Sequence, residues 1–289
     1  MERAYEYGVL LKPKVLLAMM ALYVASYFSS YATMGRRPME IDGFLTGLAA
    51  VAAAVSGANA LNCYVDRDID ALMARTWGRP LVLGTIGPLG ALTFSGVLLL
   101  SASVLSLSLG LVPFLLFLEG SVTYLFLYTV LLKRRTSLNV LATAPSVAAP
   151  AWFGWYMGGA PLYPVGLLMG FLVAIWGPLH LWSLAYAYSK DYSRAGVPML
   201  PSVVSREKAI RGILATLLVL MASSYLLIPW AKSSAYAVGV SLINVPLGYV
   251  GLRFYRERSN KAGWWLFKLT APYIVVVLLS FALDGLFFA

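Results

Sequence analysis

Charged side chains and cysteine are both scarce in this chain, and each shortage excludes a class of protein. Only 12% of the 289 residues are charged, about half of the ~25% that soluble domains carry, whereas 60% are hydrophobic. The single cysteine, Cys63, excludes an intramolecular disulfide and a metal site built from cysteine alone. With a mean hydropathy of +0.78, the chain is expected to be a membrane protein.

Apolar runs recur at the length that a helix needs to cross a bilayer, about 20 residues. Nine spans are predicted, near residues 15–34, 41–62, 85–109, 113–132, 138–158, 161–186, 205–230, 233–252 and 263–287. No low-complexity linker divides them, so residues 1–289 are expected to form one all-α transmembrane domain. The stretch MERAYEYGVLLKPK does not have the pattern of a cleaved signal. Within it, LLKP is expected to be an interfacial segment that leads into the first span, with Pro13 near the start of that span.

Lysine and arginine are unevenly distributed between alternate loops. With the N-terminus inside, the inner segments contain Arg3, Lys12, Lys14, Arg67, Arg75, Arg79, Lys133, Arg134, Arg135, Lys190, Arg194, Arg206, Lys208, Arg211, Arg253, Arg256, Arg258 and Lys261. The opposite loops contain only Arg36, Arg37 and Lys232. This bias predicts a multi-pass protein of the cell membrane with a cytoplasmic N-terminus and an external C-terminus. It also explains the net charge of +10 without nucleic-acid binding.

The acidic residues are few, and three of the twelve lie within NCYVDRDID at 62–70. Asn62, Asp66 and Asp70 are spaced i, i+4 and i+8, so on a helix they share one face, whereas Asp68 points elsewhere. Two carboxylates and an amide on one face can hold Mg²⁺, which prefers one or two carboxylates together with substrate phosphates. A solvated helix end is the alternative interpretation of such a motif.

Two arginines after the motif favour the metal interpretation. Arg75 and Arg79 follow within a few turns, in ALMARTWGRPL, and guanidinium groups are well suited to bind phosphate. Carboxylates followed by arginines at the end of a membrane helix indicate a magnesium–diphosphate site.

Two further polar clusters follow predicted spans. HLWSLAYAYSKDYSRAGVPMLP contains Lys190, Asp191 and the only histidine, His180. Because His180 lies about three turns inside the membrane edge, it is a candidate functional residue, with a hydrogen-bonded structural histidine as the alternative. LYTVLLKRRTSLNVL contains a basic triplet beginning at Lys133, a pattern that is most often a topogenic signal.

Together these stretches resemble the intramembrane aromatic prenyltransferase (UbiA) superfamily, whose signature N-x-x-x-D-x-x-x-D is matched by Asn62, Asp66 and Asp70. Within it, the chain is more similar to the heme-modifying branch. The similarity lies in LLKPKV, NCYVDRDIDALMARTWGRPL, LKRRTSLN, APAWFGW, GPLHLWSLA and KDYSRAGVPMLPSV, over roughly residues 10–215. Many relatives have a second D-x-x-x-D after the sixth span, whereas this chain has only Asp191, in K-D-Y.

The resemblance implies a bundle of nine helices around a central cavity open to the cytoplasmic side, and farnesyl transfer from farnesyl diphosphate to a vinyl group of heme b. It implies that Mg²⁺ is bound by Asp66, Asp70 and Asp191, with Asn62 directed toward the metal or the diphosphate. It implies four diphosphate-binding cations, Arg75, Arg79, Lys133 and Lys190. His180 would ligate the heme iron, or orient a water molecule or a heme propionate.

Two alternative functions remain open. A prenyltransferase of the same fold could use an aromatic quinone precursor or a glycerol-phosphate lipid as the acceptor. A cation-coupled transporter could use the aspartates to bind its coupling ion, although such proteins usually have inverted repeats and helices broken at mid-membrane. Carboxylates at helix ends beside arginines suit an anionic substrate with a metal better. The expected partners are therefore farnesyl diphosphate, heme b and the lipid bilayer.

Overall fold

The computed structural model describes residues 2–35 and 39–288, in which helices alternate with turns and no strand occurs. Arg36 and Arg37, two of the predicted outer-loop cations, lie outside the described residues. The α-helices are α1 Glu2–Leu10, α2 Pro13–Thr33, α3 Ile41–Val65, α4 Arg67–Ala71, α5 Pro80–Leu83, α6 Pro88–Ser108, α7 Leu111–Val122, α8 Ala144–Met157, α9 Leu167–Ala187, α10 Ser189–Arg194, α11 Leu200–Val203, α12 Arg206–Ser223, α13 Ser234–Glu257 and α14 Asn260–Phe288.

Eight helical segments in the described residues are long and apolar enough to cross a membrane, so the chain is a multi-pass membrane protein. They are Pro13–Thr33, Ile41–Val65, Pro88–Ser108, Leu111–Leu132, Leu162–Ala187, Arg206–Trp230, Ser234–Glu257 and Asn260–Phe288. Each coincides with a predicted span to within a few residues. The segment before Pro13 forms the short helix α1.

The fifth predicted span, 138–158, forms a shorter helix than the sequence suggests. Its first turn, Asn139–Thr143, is a 3₁₀-helix, and α8 continues it for only 14 residues. Pro145 and Pro150 both lie in α8 and lack the amide hydrogen that a regular helix uses. The apolar length of this segment therefore does not become one long α-helix, and the predicted count of nine spans is not confirmed.

The helices surround a centre in which α2, α8, α9 and α14 each pack against two of the others. The contact between α2 and α8 is close because Gly154 has no side chain: a Cβ there would lie 2.2 Å from the Tyr23 carbonyl oxygen. Small residues that let helix backbones approach are typical of membrane proteins. Around this centre, α3 packs against α6 and against the end of the fourth span.

The outer surface of the bundle is apolar, as contact with lipid requires. Large hydrophobic side chains are exposed along several helices, for example Leu100, Leu115, Leu218, Leu242 and Phe287. Polar residues that are buried inside the bundle are therefore the exceptions, and they mark the places where the chain could bind polar ligands.

Candidate active site

The polar stripe lies where α3 ends and α4 begins. Asp66 is the single residue between the two helices, yet hydrogen bonds from Asp66 N to Asn62 O (2.9 Å) and from Asp70 N to Asp66 O (2.8 Å) continue the helical pattern. The three side chains consequently share one face, as their spacing predicts, and these residues are only 3%, 0% and 4% exposed in the order Asn62, Asp66, Asp70. Asp68 points outward and binds Arg134, with an Oδ1–Nη2 distance of 2.6 Å.

Each buried carboxylate is paired with a cation from elsewhere in the chain. Lys133 donates a hydrogen bond to Asp66 Oδ2, and Arg79 donates one to Asp70 Oδ2. Burial opposes the charge of Lys133, but the neighbouring Tyr128 phenol and Asp66 carboxylate raise its pKa above the ordinary value. Burial likewise opposes the charge of Arg79, but Asp70 raises its pKa. Both cations are therefore charged, and they neutralise carboxylates that would otherwise be costly to bury.

Asn62 connects the members of the cluster. Its Nδ2 donates to Asp66 Oδ2 (2.7 Å) and to Thr129 Oγ1 (3.2 Å), and its Oδ1 accepts from Lys12 Nζ (2.7 Å). An ammonium group can only donate hydrogen bonds, so the atom facing Lys12 must be the amide oxygen. Since that oxygen is the atom that could bind a metal, Asn62 in this arrangement orients Asp66 rather than facing a metal itself.

Lys12 reaches the cluster from the turn between α1 and α2, and it is not among the site residues predicted from the sequence. Its backbone is left-handed (φ 50°, ψ 68°), which is uncommon for a residue other than glycine. The turn is fixed by Asn59, whose Nδ2 donates to the Leu11 carbonyl oxygen (3.0 Å). Burial lowers the pKa of Lys12 to about 8. The only available signal was the LLKPKV match, because a contact across 50 residues cannot be read from local spacing.

Thr129 and Lys133 are positioned by a π-helix at Thr123–Leu132 in the second half of the fourth span. The amide of Lys133 donates to the Tyr128 carbonyl oxygen five residues earlier, at 2.8 Å, which is the π-helical spacing. Thr129 Oγ1 donates to the Tyr124 carbonyl oxygen (2.8 Å), so its lone pairs remain available to Asn62. π-Helices are rare and occur frequently at functional sites.

The four predicted diphosphate cations fall into two pairs. Arg79 and Lys133 are inside the cluster and bind its carboxylates. Arg75 and Lys190 are exposed, and neither forms an ion pair within 4.0 Å among the described residues. The structure therefore places two of the four predicted cations in contact with the aspartates.

The second cluster lies near the first but does not merge with it. Asp191, in α10, is 9% exposed, and its Oδ2 has no hydrogen-bond partner in the described part of the chain. The adjacent Tyr192 phenol interacts electrostatically with Lys133. Within residues 2–35 and 39–288, however, no three acidic, histidine or cysteine side chains converge closely enough to hold a metal ion. Asp66, Asp70 and Asp191 are therefore not gathered at one point.

The aspartates nevertheless fit a magnesium ion that is bound together with a diphosphate. Asp66 Oδ1 is buried and has no hydrogen-bond partner among the described residues, although Arg134 Nη2 lies 4.0 Å from it. Mg²⁺ usually takes one or two carboxylates and completes its octahedron with water and phosphate oxygens, so three protein ligands are not required. Asp66 and Asp70 are the residues that would hold it.

His180 lies in the interface between α9 and α14. Its Nδ1 is 2.9 Å from Thr270 Oγ1, and that hydroxyl donates its single hydrogen to the Phe267 carbonyl oxygen (2.8 Å). Thr270 must therefore accept a hydrogen bond from Nδ1, which leaves Nε2 of the neutral imidazole with a free lone pair. The ring lies between Trp176 and Phe267, with centroid distances of 4.8 and 4.3 Å. This geometry suits a ligand of a metal or a hydrogen-bond acceptor.

An apolar cavity lies between α2, α3, α7 and α8, and it reaches Asn59, one turn before Asn62 on α3. Asn59 and Tyr124 line it near the aspartates, and Ala50 and Phe153 line it further away. Asn59 lies nine residues after Ala50 on α3, which corresponds to about 14 Å of helix. The site therefore combines a charged end, able to bind an anion with a metal, and an apolar pocket of the length of a short lipid tail.

The family model that describes the UbiA prenyltransferase family matches residues 15–272. The chain belongs to the UbiA prenyltransferase family, and it is accordingly a prenyltransferase. It is similar to a protein of Pyrobaculum neutrophilum named protoheme IX farnesyltransferase, with 36% identity over 284 residues that cover 95% of this chain and 98% of that one.

Solved structures show the same fold at lower identity. A structure described as digeranylgeranylglyceryl phosphate synthase has a TM-score of 0.78 and 18% identity, and it covers 99% of both chains. A UbiA homolog from Archaeoglobus fulgidus, solved with DMAPP and Mg²⁺, has a TM-score of 0.73 and 16% identity, and it covers 94% of this chain and 99% of that one.

Proposed function

We propose that this protein transfers the farnesyl group of farnesyl diphosphate to a vinyl group of heme b and so makes heme O. The observation that carries the proposal is the cluster of buried aspartates and cations one helical turn from an apolar cavity that Asn59 lines. The charged end suits a diphosphate with Mg²⁺, and the cavity suits an isoprenoid tail. The name of the Pyrobaculum neutrophilum relative, which matches over nearly its whole length, favours farnesyl diphosphate and heme as the two substrates.

In the proposed reaction the allylic C–O bond of the donor breaks, and both electrons of that bond remain on the diphosphate oxygen. Bound Mg²⁺ would neutralise part of this developing charge. Asp66 and Asp70 would hold the metal, Asp191 in α10 would supply a further carboxylate for metal binding, and Asn62 fixes the orientation of Asp66. The remaining charge on the diphosphate is stabilised by Arg79, Lys133, Arg75 and Lys190.

The acceptor then uses the π electrons of its vinyl group to form a C–C bond with C1 of the farnesyl cation. The cation that remains beside the porphyrin ring takes up water and loses a proton, which gives a hydroxyethylfarnesyl side chain. The apolar walls of the cavity keep water away from the farnesyl cation before the C–C bond forms. His180 holds the heme through Nε2, because Thr270 occupies Nδ1.

The proposal includes a topology. Residues 1–289 form one transmembrane domain in the cell membrane, with nine spans that include the short helix α8. The N-terminus and the carboxylate cluster face the cytoplasm, and the C-terminus lies outside. The support for this orientation is the concentration of lysine and arginine in alternate loops.

An acceptor competition tests the assignment of heme. Purified protein in lipid nanodiscs receives farnesyl diphosphate, Mg²⁺ and equal amounts of heme b, an aromatic quinone precursor and a geranylgeranylated glycerol phosphate. The products are separated by chromatography and identified by mass spectrometry. We expect heme b to be the only acceptor that gains a farnesyl group. Prenylation of the aromatic acid or of the lipid, with heme b unchanged, contradicts the proposal and selects that other acceptor.

A further inference from the structure

Lys12 differs from the other cations of the cluster because it binds a neutral partner. Lys133 and Arg79 each bind an aspartate, whereas Lys12 Nζ binds the amide oxygen of Asn62 at 2.7 Å. Among the described residues, Lys12 has no carboxylate within 4.0 Å. A charge held inside a protein is costly unless an opposite charge compensates it, so the position of Lys12 calls for an anion.

The fold holds Lys12 at this position through three separate features. The backbone adopts a left-handed conformation at Lys12, and Pro13 starts α2 immediately after it. The carbonyl oxygen of Leu11 accepts a hydrogen bond from Asn59, one turn before Asn62 on α3. A lysine at a flexible interfacial turn would extend into water, whereas these contacts direct the side chain toward the carboxylate cluster.

The charges of the cluster do not balance. Asp66 and Asp70 provide two negative charges, and Lys133, Arg79 and Lys12 provide three positive ones. A magnesium ion would add two more positive charges. Because a diphosphate is a multiply charged anion with several acceptor oxygens, it compensates this excess where a single carboxylate would not.

We propose that Lys12 is a diphosphate-binding residue. When the prenyl donor binds, the Lys12 ammonium group gives up its hydrogen bond to Asn62 Oδ1 and donates instead to an oxygen of the diphosphate. This inference rests on the proposed function, because it names one further residue of the same site. It places the turn before the first span, together with α3 and the fourth span, among the elements that bind the donor.

Binding of inorganic pyrophosphate tests the inference without catalysis. Lys12→Gln removes the charge, and Lys14→Gln removes one from an exposed lysine two residues further on. By titration calorimetry with Mg²⁺, we expect Lys12→Gln to weaken binding about tenfold, and Lys14→Gln to change it less than about twofold. Lys12→Arg should restore most of the affinity. Gel filtration and thermal melting check that the variants fold.

Equal affinity of Lys12→Gln and the wild type overturns the inference, while the proposed function stands. Lys12-dependent binding without a farnesylated heme product overturns the heme assignment and leaves the inference intact. If wild-type protein binds no pyrophosphate, both are contradicted.

A second measurement on the wild type serves if Lys12→Gln does not fold. The lysines are acylated with and without pyrophosphate and Mg²⁺, and peptides are quantified by mass spectrometry. We expect pyrophosphate to protect Lys12 several-fold relative to Lys14. The inference is overturned if pyrophosphate and Mg²⁺ change the labelling of Lys12 no more than they change the labelling of Lys14.

Discussion

At the scale of single residues, the carboxylate cluster is held together by groups that are also suited to bind its substrate. Lys133 and Arg79 neutralise Asp66 and Asp70 in the structure, and the same cations are suited to bind phosphate oxygens. A buried aspartate without such a partner would be protonated or would destabilise the fold. In the proposed function, substrate binding would be an exchange of partners, in which the aspartates release Lys133 and Arg79 to bind phosphate oxygens.

Removing the charge of either buried aspartate is predicted to abolish prenyl transfer. Asp66→Asn or Asp70→Asn keeps the size of the side chain but weakens metal binding, so we expect Mg²⁺-dependent turnover to fall by about a hundredfold or more. Asp68→Asn is the matched control, because Asp68 lies between them in sequence but is 61% exposed. Near-normal turnover by Asp66→Asn or Asp70→Asn, measured as released pyrophosphate, would refute the assignment of these carboxylates to the metal.

Diphosphate binding is predicted to weaken as the pH rises through about 8. Burial lowers the pKa of Lys12 from 10.5 to about 8; Arg79 and Lys133 also lower it, and Cys63 and Asp66 oppose them. Lys12 is therefore charged below pH 8 and increasingly neutral above it, and pyrophosphate affinity should decline over that range. Lys12→Arg stays charged and should show a flatter profile. Identical pH profiles for the wild type and Lys12→Gln are the result that excludes Lys12 as the cause.

Loss of His180 is predicted to affect the acceptor and leave the donor unaffected. Its Nδ1 is occupied by Thr270, and its Nε2 keeps a lone pair that can bind heme iron. We expect His180→Ala to lose the Soret shift that heme b shows on binding, while pyrophosphate affinity stays within about twofold of the wild type. Thr270→Val should weaken the shift, because the tautomer is no longer fixed. Unchanged heme affinity and turnover in His180→Ala contradicts a role for this residue.

At the scale of elements, the position of the site depends on close contact between helices. α2 carries Lys12 at its start and packs against α8, with Gly154 directly on the backbone of Tyr23. The other side of the cluster comes from the π-helix at the end of the fourth span. Small shifts between these helices would separate Lys12 from Asn62 without any change in the site residues themselves.

A methyl group at the contact between α2 and α8 is predicted to destabilise the bundle. A Cβ at residue 154 would lie 2.2 Å from the Tyr23 carbonyl oxygen, and backbone atoms cannot rotate away. We expect Gly154→Ala to cost about 1–3 kcal/mol and to lower the melting temperature. Gly96→Ala is the control, since nothing lies within 4 Å of a Cβ there. Equal melting temperatures for both variants would show that α2 and α8 are not in close contact.

The helices of the bundle and the polar stripe on α3 were only partly predictable from the sequence. Eight of the nine predicted spans are confirmed as helices of sufficient length, because long apolar runs have one interpretation. The stripe of Asn62, Asp66 and Asp70 was predictable, because helical spacing is a local property. The π-helix and the shortened α8 were not predictable, since they depend on which carbonyl oxygen each backbone amide binds in the folded chain.

Lys12 and Thr129 were not predicted as site residues for a similar physical reason. Lys12 and Thr129 each contact Asn62 from 50 or more residues away, at 2.7 and 3.2 Å. Neither residue type is unusual in its own segment: lysine is common at a membrane interface, and threonine can be accommodated in an apolar helix. Only the packing of the turn before α2 and of the fourth span against α3 identifies them.

At the scale of the whole molecule, the bundle has separate environments for charged and for apolar groups. Its outer surface is apolar, its centre is closely packed, and an apolar cavity lies one helical turn from its polar cluster. A donor can therefore keep its tail in an apolar environment while its diphosphate reaches magnesium and cations. In the proposed reaction, the water-poor interior would protect a carbocation and the charged cluster would stabilise the leaving group.

The most direct test of the proposed function is turnover by the purified protein with heme b, farnesyl diphosphate and Mg²⁺. The products are separated by chromatography and identified by mass, with and without a chelator, and with Asp68→Asn and Asp70→Asn as matched variants. We predict a heme that has gained a farnesyl group and a hydroxyl group, formed by the wild type and Asp68→Asn only when Mg²⁺ is present, and not formed by Asp70→Asn. Unmodified heme b after complete release of pyrophosphate, or equal product from Asp70→Asn, would contradict the proposed function.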